Sequence, residues 1–267
     1  MLKIPKKVLE RFVKLLKNYQ TVALSQKNRD VSEADTVTLV KDILAYVFGY
    51  DKYNELTSEQ QIRGTFCDLA VKIEGKIKYL IEVKSAGIEL NEAHIRQATN
   101  YAANEGIEWV VLTNAITWQL YRVKFGQPIE TERVFSFDFA SLNPKNEDDQ
   151  DKLFLLCREG ITNDAMDRFH QQAQMLNKFT LTQIMISEPI INLARKEFRK
   201  LFPELKVDAQ QISEILIKEV IKRDVIESEK MKAAQQKIKK AEQKLMRQAK
   251  KGQMVSQKEL VPVLDLV

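Results

Sequence analysis

Three runs with strand character follow one another between residues 55 and 84, ELTSEQQI, TFCDLAVKI and KIKYLIEVK, and no comparable run occurs after residue 152. Period-two alternation of this kind has to build a sheet with at least one buried face. Glu74-Gly75 separates the last two runs and reads as a hairpin turn, so the three are expected to be consecutive antiparallel strands. Ahead of them, 5–18 places Val8, Phe12, Leu15 and Leu16 at helical spacing. A second helix follows at 31–51, opened by Ser32 with Asp35 three residues on, lined by Val40, Ile43, Leu44 and Val47, and stopped by Gly49. A helical stretch at 91–104 then leads to an apolar strand WVVLT at 109–113, an amphipathic strand WQLYRV at 118–123 and a strand-like RVFSFDF at 133–139. This order predicts an α/β fold whose mixed sheet is flanked by helices.

The character of the chain changes at the acidic segment NPKNEDDQD, which reads as the loop that ends the core and divides the chain into 1–143 and 144–267. The second part reads as all-helical, interrupted only by Pro189 and Pro203. Near its end Met231, Ala234, Ile238, Ala241 and Leu245 alternate steps of three and four. That seam spans barely two heptads and is a hint of helix pairing, in a homodimer or with a partner. The segment 230–251 carries nine Lys and Arg against the single acid Glu242, a local charge of +8, so the net +5 leaves about −3 for the rest. Its readings are a solvated helix face, an assembly element or a contact with DNA.

No stretch is long and apolar enough for a membrane span, and the N-terminus is charged throughout, so a cytoplasmic protein with no membrane partner is expected. Cys67 and Cys157 fit neither a disulfide framework nor a zinc spacing, and His94 and His170 are too few for a histidine-rich site. His94 reads as a surface helix residue. Trp109 and Trp118, both in strands, read as core.

Chemistry concentrates where charge interrupts the strands. In a strand that buries Ile81 and Val83, Glu82 and Lys84 point together to the opposite face. One hairpin earlier, Cys67, Leu69, Val71 and Ile73 form an apolar alternation that turns Asp68 away from them, where a neighbouring Glu82 can share a metal. Two carboxylates beside one ammonium suit a divalent cation such as Mg²⁺ and the hydrolysis of a phosphodiester. Glu-x-Lys also occurs at Glu74/Lys76, Glu204/Lys206 and Glu242/Lys244, so the triplet alone is weak; its setting at the end of YLI distinguishes it. A salt-bridge network on the sheet is the non-functional alternative.

Asp68, thirteen intervening residues and then Glu82-Val83-Lys84 resemble the signature of the PD-(D/E)XK nuclease superfamily. Gln97 and Tyr101 in IRQATNYA resemble the Gln-x-x-x-Tyr pattern on the helix after its catalytic strand. VVLTNAITWQLYRV resembles the strand pair of the N-terminal nuclease domain of type I restriction enzyme R subunits, with Ala115 where Gly is usual, and SEADTVTLVKDILAYVFGYD resembles its opening helix. The resemblance covers about 32–123. It departs from the family in having Cys67 where Pro commonly precedes the Asp. No Gly-x-x-x-x-Gly-Lys-Ser/Thr loop is present, which excludes ATP-driven translocation by this chain.

The resemblance implies a restriction-endonuclease-like core and a DNA nuclease, an endonuclease rather than an exonuclease, in restriction or phage defence. It implies Asp68, Glu82, Lys84 and Gln97 as catalytic residues. Glu33, Asp68, Glu82 and the Val83 carbonyl would be the ligands of Mg²⁺, with Mn²⁺ able to substitute, and Tyr101 would contact substrate. The helical half would couple this unit to a separately encoded helicase or methyltransferase. The competing reading is a non-catalytic nuclease-fold module that binds nucleic acid or a partner protein through its helical half.

Overall fold

The computed structural model describes residues 2–62 and 65–258. The chain divides into two compact units, Met1–His170 and Gln171–Val267. The first opens with α1 (Lys6–Asn28) and α2 (Glu33–Asp42), the latter running on through a π-helical turn, Ile43–Val47. Helix α1 runs ten residues past the end that its apolar stripe suggests. The stripe Val8, Phe12, Leu16 continues to Gln20 and Ala23, and the buried Gln20 amide donates to the carbonyls of Phe139 and Leu142, both at 2.8 Å. A polar residue that caps two loop carbonyls thus takes a core position that a hydrophobic pattern passes over. Helix α2 begins at Ser32, whose hydroxyl accepts from the Asp35 N–H, and the chain leaves the π turn through Gly49 at φ +86°.

Six strands form one sheet in sequence order: β1 (Leu56–Ile62), β2 (Thr65–Ile73), β3 (Lys76–Val83), β4 (Trp109–Thr113), β5 (Thr117–Lys124) and β6 (Glu130–Asp138). All neighbours are antiparallel except β3 and β4, which are parallel because α3 (Arg96–Glu105) carries the chain across the sheet between them. Glu74 and Gly75 both take positive φ, as a two-residue hairpin matched to strand twist requires. Both sheet faces are covered. Leu69, Val71, Tyr79, Ile81, Val83, Val111 and Trp118 join α1 and α2 in the larger core; Ala70, Leu80, Val110, Leu112 and Tyr121 pack with Ala98, Tyr101 and Ala102 of α3 in the smaller. All five residues of β4 are buried, the expected outcome for a strand with a helix layer on either side.

The acidic segment is not a loop throughout. Asn146 caps α4 (Glu147–Leu155), and Glu147, Asp148 and Asp149 fall in its first turn, where the helix dipole favours negative charge. Leu153, Phe154 and Leu155 then enter the larger core, followed by Cys157 and Ile161 around α5 (Arg158–Ile161) and Ala165 and Met166 of α6 (Ala165–Met175). Compact structure therefore continues past residue 143, to His170.

The second unit is helical among its described residues: α7 (Lys178–Met185), α8 (Glu188–Leu201), α9 (Ala209–Ile215), α10 (Arg223–Ile226) and α11 (Glu229–Lys258). Pro189 sits in the first turn of α8, where its missing N–H costs nothing, and Pro203 follows the end of that helix. The seam of α11 begins as expected, with Met231 and Ala234 buried and the helix packed on α7, but Ala241 and Leu245 are exposed.

Candidate active site

Strand β3 ends in the sequence Ile81-Glu82-Val83, with Lys84 immediately after it. Ile81 and Val83 are fully buried in the larger core, so Glu82 and Lys84 turn to the other face, as period-two geometry requires. Glu82 is 7% exposed. Lys84 Nζ lies 2.8 Å from Glu82 Oε1 and 3.4 Å from Glu33 Oε2, the latter reaching in from the first turn of α2. The Lys84 N–H donates to the Thr113 carbonyl at 2.9 Å, which ties the end of β3 to β4.

Across from Glu82 the hairpin opens. The last β2–β3 pair is Leu69 with Ile81; one residue further, side chains take over the ladder. Asp68 Oδ2 accepts from the Val83 N–H at 2.7 Å, and the Cys67 thiol donates to the Ile81 carbonyl at 3.2 Å. Cys67 consequently packs with Ala70 in the smaller core, not in line with Leu69, Val71 and Ile73, which corrects the single alternation expected along this strand. Burial, with the nearby Glu82 carboxylate, pushes the Cys67 thiol up to about 12, so it is a packed hydrophobe and no nucleophile.

Asp68 also lines a hollow of about 390 Å³ with Glu33, Ala34, Val37, Thr38, Lys41 and Ser58. Five of these, Ala34, Val37, Thr38, Lys41 and Ser58, were not apparent as site residues in the sequence. Lys41 lies two helical turns after Glu33 on α2 and donates to Ser58 Oγ at 2.8 Å, while Thr38 lies between them. Only the i,i+4 and i,i+8 relation to Glu33 could have singled out α2 positions of this kind.

The electrostatics follow from crowding. Burial, then the charges of Asp68 and Glu33, push the Glu82 carboxyl up to about 7, against the opposing hydrogen bond and charge of Lys84. Burial would lower the Lys84 ammonium, but its hydrogen bond to Glu82 and the charges of Glu82, Glu33 and Asp68 outweigh that and raise it. Glu33 and Glu82 paired with one ammonium, with the charge of Asp68 also acting on it, leave surplus negative charge, and carboxylate oxygens are donors of the kind a hard divalent cation takes. Among the described residues no three Asp, Glu, His or Cys side chains are gathered closely enough to form a metal cluster by themselves.

Helix α3 divides the other two candidates. Gln97 is exposed, whereas Tyr101 is buried in the smaller core, its hydroxyl without a hydrogen-bond partner among the described residues. Their i,i+4 spacing holds, but the layer over the sheet claims Tyr101. His94 accepts from the Asn91 N–H and caps the turn that leads into α3. Trp118 is core. Trp109 is buried under Arg122, whose guanidinium lies 4.6 Å from the ring, and donates to Asp167.

Residues 26–134 match the family model described as the N terminus of the type I restriction enzyme R protein. The resemblance to the N-terminal nuclease domain of type I R subunits is thus borne out. The matched span runs from the end of α1 into β6 and contains Glu33, Asp68, Glu82, Val83, Lys84, Gln97 and Tyr101. No curated protein and no solved structure matches the chain.

Proposed function

We propose that the chain is a Mg²⁺-dependent DNA nuclease of the PD-(D/E)XK type, with a restriction-endonuclease-like core and an endonucleolytic role in restriction or phage defence. The observation that carries this reading is the pairing of Glu33 and Glu82 with the single ammonium of Lys84, on which the charge of Asp68 also acts, in a segment similar to the N terminus of type I restriction enzyme R proteins. Asp68 and Glu82, with Glu33 and the Val83 carbonyl, would hold Mg²⁺ or Mn²⁺. When bound, the cation supplies charge stabilisation at the phosphate and a more acidic water.

The chain's own residues have distinct tasks. Asp68 is fixed by the Val83 N–H and keeps its carboxylate aimed at the splayed end of the hairpin. Glu82, destabilised as an anion, gains most from a cation. Lys84, held between Glu82 and Glu33, would orient the attacking water or meet charge on the phosphate, and Gln97, exposed one helix away, would support it. Tyr101 would reach substrate only if α3 shifted, so its contribution is to anchor that helix.

The test is incubation of the purified protein with circular and linear DNA in Mg²⁺ or Mn²⁺, beside Asp68→Ala and Lys84→Ala. Metal-dependent cleavage that both substitutions abolish supports the proposal; cleavage unchanged in either rules it out. One observation favours a second, compatible role for the helical unit. Leu193, Phe198, Leu201, Phe202 and Ile215 of α8, α9 and their connection are exposed, which suits docking of a partner such as a separately encoded helicase or methyltransferase, or a second copy.

A further inference from the structure

We infer that α11 is a duplex-DNA binding rod that works through the phosphate backbone, independently of the cleavage site. Lys237, Lys240, Lys244 and Arg247 are all exposed and follow one another at steps of three, four and three. At about 100° and 1.5 Å per residue they occupy an arc of roughly 80° along about 15 Å of helix. Glu242, the one acid of the segment 230–251, projects from the opposite side of the helix. Among the described residues none of the four cations has an ion-pair partner; the ion pair on this helix joins Lys232 to Glu229, a turn before the stripe begins.

Burial fixes which way the stripe looks. The apolar seam begins with Met231 and Ala234, both buried, and the helix packs on α7, so the basic arc, about 120° around the helix from the seam, is directed away from that contact. A duplex carries a negative charge per about 1.7 Å of its axis, so a straight line of four unpaired cations over about 15 Å meets phosphates along its whole length. An anionic membrane would need a broad exposed apolar face beside the cations. Here the seam starts turned inward, and among the described side chains the exposed apolar ones beyond it are Ala241, Leu245 and Met246. The rest of the chain is slightly acidic, which leaves this helix as the concentrated source of attraction for a polyanion.

The test is fluorescence anisotropy with a labelled duplex of arbitrary sequence, in EDTA so that no cleavage occurs, across about 50–200 mM KCl. Four Gln replacements, Lys237→Gln, Lys240→Gln, Lys244→Gln and Arg247→Gln, keep helix propensity and remove four counterion-releasing contacts. The slope of log affinity against log salt should fall by about 3.6, which is an affinity loss about 10²-fold smaller than wild type across that salt range. Replacing Lys6, Lys7, Lys14 and Lys17 of α1 by Gln removes the same charge and should leave the slope unchanged. Arg in place of Lys237, Lys240 and Lys244 should also preserve it, which separates lost contact from lost folding. An unchanged slope in the four-Gln variant, an equal loss in the α1 control, or binding to phosphatidylserine vesicles without binding to the duplex would overturn the inference. Cleavage in Mg²⁺ reads the nuclease proposal and the salt slope in EDTA reads this one, so failure of the first and failure of the second give different results.

Discussion

Asp68 Oδ2 accepts a hydrogen bond from the backbone N–H of Val83 at 2.7 Å, so the carboxylate of one strand completes the ladder of the next at the place where the two strands part. The contact binds position and charge together. Asp68 cannot move without leaving the Val83 N–H without its acceptor, and the opening of the hairpin is what would give the carboxylates room for the proposed cation.

This double role separates two substitutions. Asp68→Asn keeps an oxygen for the Val83 N–H and removes the charge, so the protein should unfold within about 1 kcal/mol of wild type while cleavage falls by at least about 10²-fold. Asp68→Ala loses both and should cost about 1–3 kcal/mol as well as activity. Thermal denaturation and a DNA cleavage assay on both variants check this; an active Asp68→Asn would remove Asp68 from the chemistry.

Glu82 gives the pH dependence. Its carboxyl titrates at about 7 in the folded protein against the ordinary 4.5, so between those values the folded state holds the proton that the unfolded state has released. Stability therefore falls as pH rises from 4.5 to 7, by at most about 3 kcal/mol, and the penalty is fully present above 7. In EDTA, Glu82→Gln should be more stable than wild type at pH 8 by about 1–3 kcal/mol, and the difference should vanish near pH 5, while cleavage is lost. Denaturant titrations at the two pH values measure it, and an equal difference at both would show that Glu82 is not the strained group. Added Mg²⁺ should stabilise wild type more at pH 8 than at pH 6, because binding needs the ionised form.

The sequence was most readable where one period ruled. The limits of β2 and β4, the hairpin at Glu74-Gly75 and the pairing of Glu82 with Lys84 on one face all follow from alternation over short runs. It was least readable where a polar residue did apolar work or a side chain replaced backbone. Gln20 hid the last turns of α1, the first-turn acids of α4 looked like a loop, and Cys67 left its expected row because the β2–β3 ladder stops at Leu69. The contribution of Lys41 and Ser58 to the hollow was not legible, since it depends on how α2 crosses the sheet edge. Tyr101 had the right spacing, but spacing does not say which residues a second layer will bury.

Gly49 holds a close approach as well as a turn. It adopts φ +86°, and a Cβ there would lie 2.5–2.8 Å from the Arg11 guanidinium. That guanidinium is pinned by the Val47 and Phe48 carbonyls and by Glu159, with Nη2 2.8 Å from Oε2. Gly49→Ala should cost more than about 2 kcal/mol, from the left-handed backbone and from the displaced ion pair together. Arg11→Ala in the same background should cost less than the sum of the two single changes, because the steric conflict disappears with the guanidinium. Additive losses in the double-mutant cycle would show that the two residues do not share this contact.

Thr36 ties the two halves of the site together. Its fully buried hydroxyl donates to the Ser32 carbonyl at 3.1 Å and accepts from the Ala86 N–H at 3.2 Å. Ser32 precedes Glu33, and Ala86 lies two residues after Lys84, so one hydroxyl fixes the distance between the acid on α2 and the ammonium at the end of β3. Thr36→Val has the same shape and lacks both bonds, leaving the Ala86 N–H buried without its acceptor at a cost of about 1–3 kcal/mol. Cleavage should fall about tenfold, the size expected when a supporting hydrogen bond behind a metal site is removed, with Thr36→Ser recovering most of it. Full cleavage in a destabilised Thr36→Val would mean that Glu33 and Lys84 need no such tie, and would weigh against a catalytic part for Glu33.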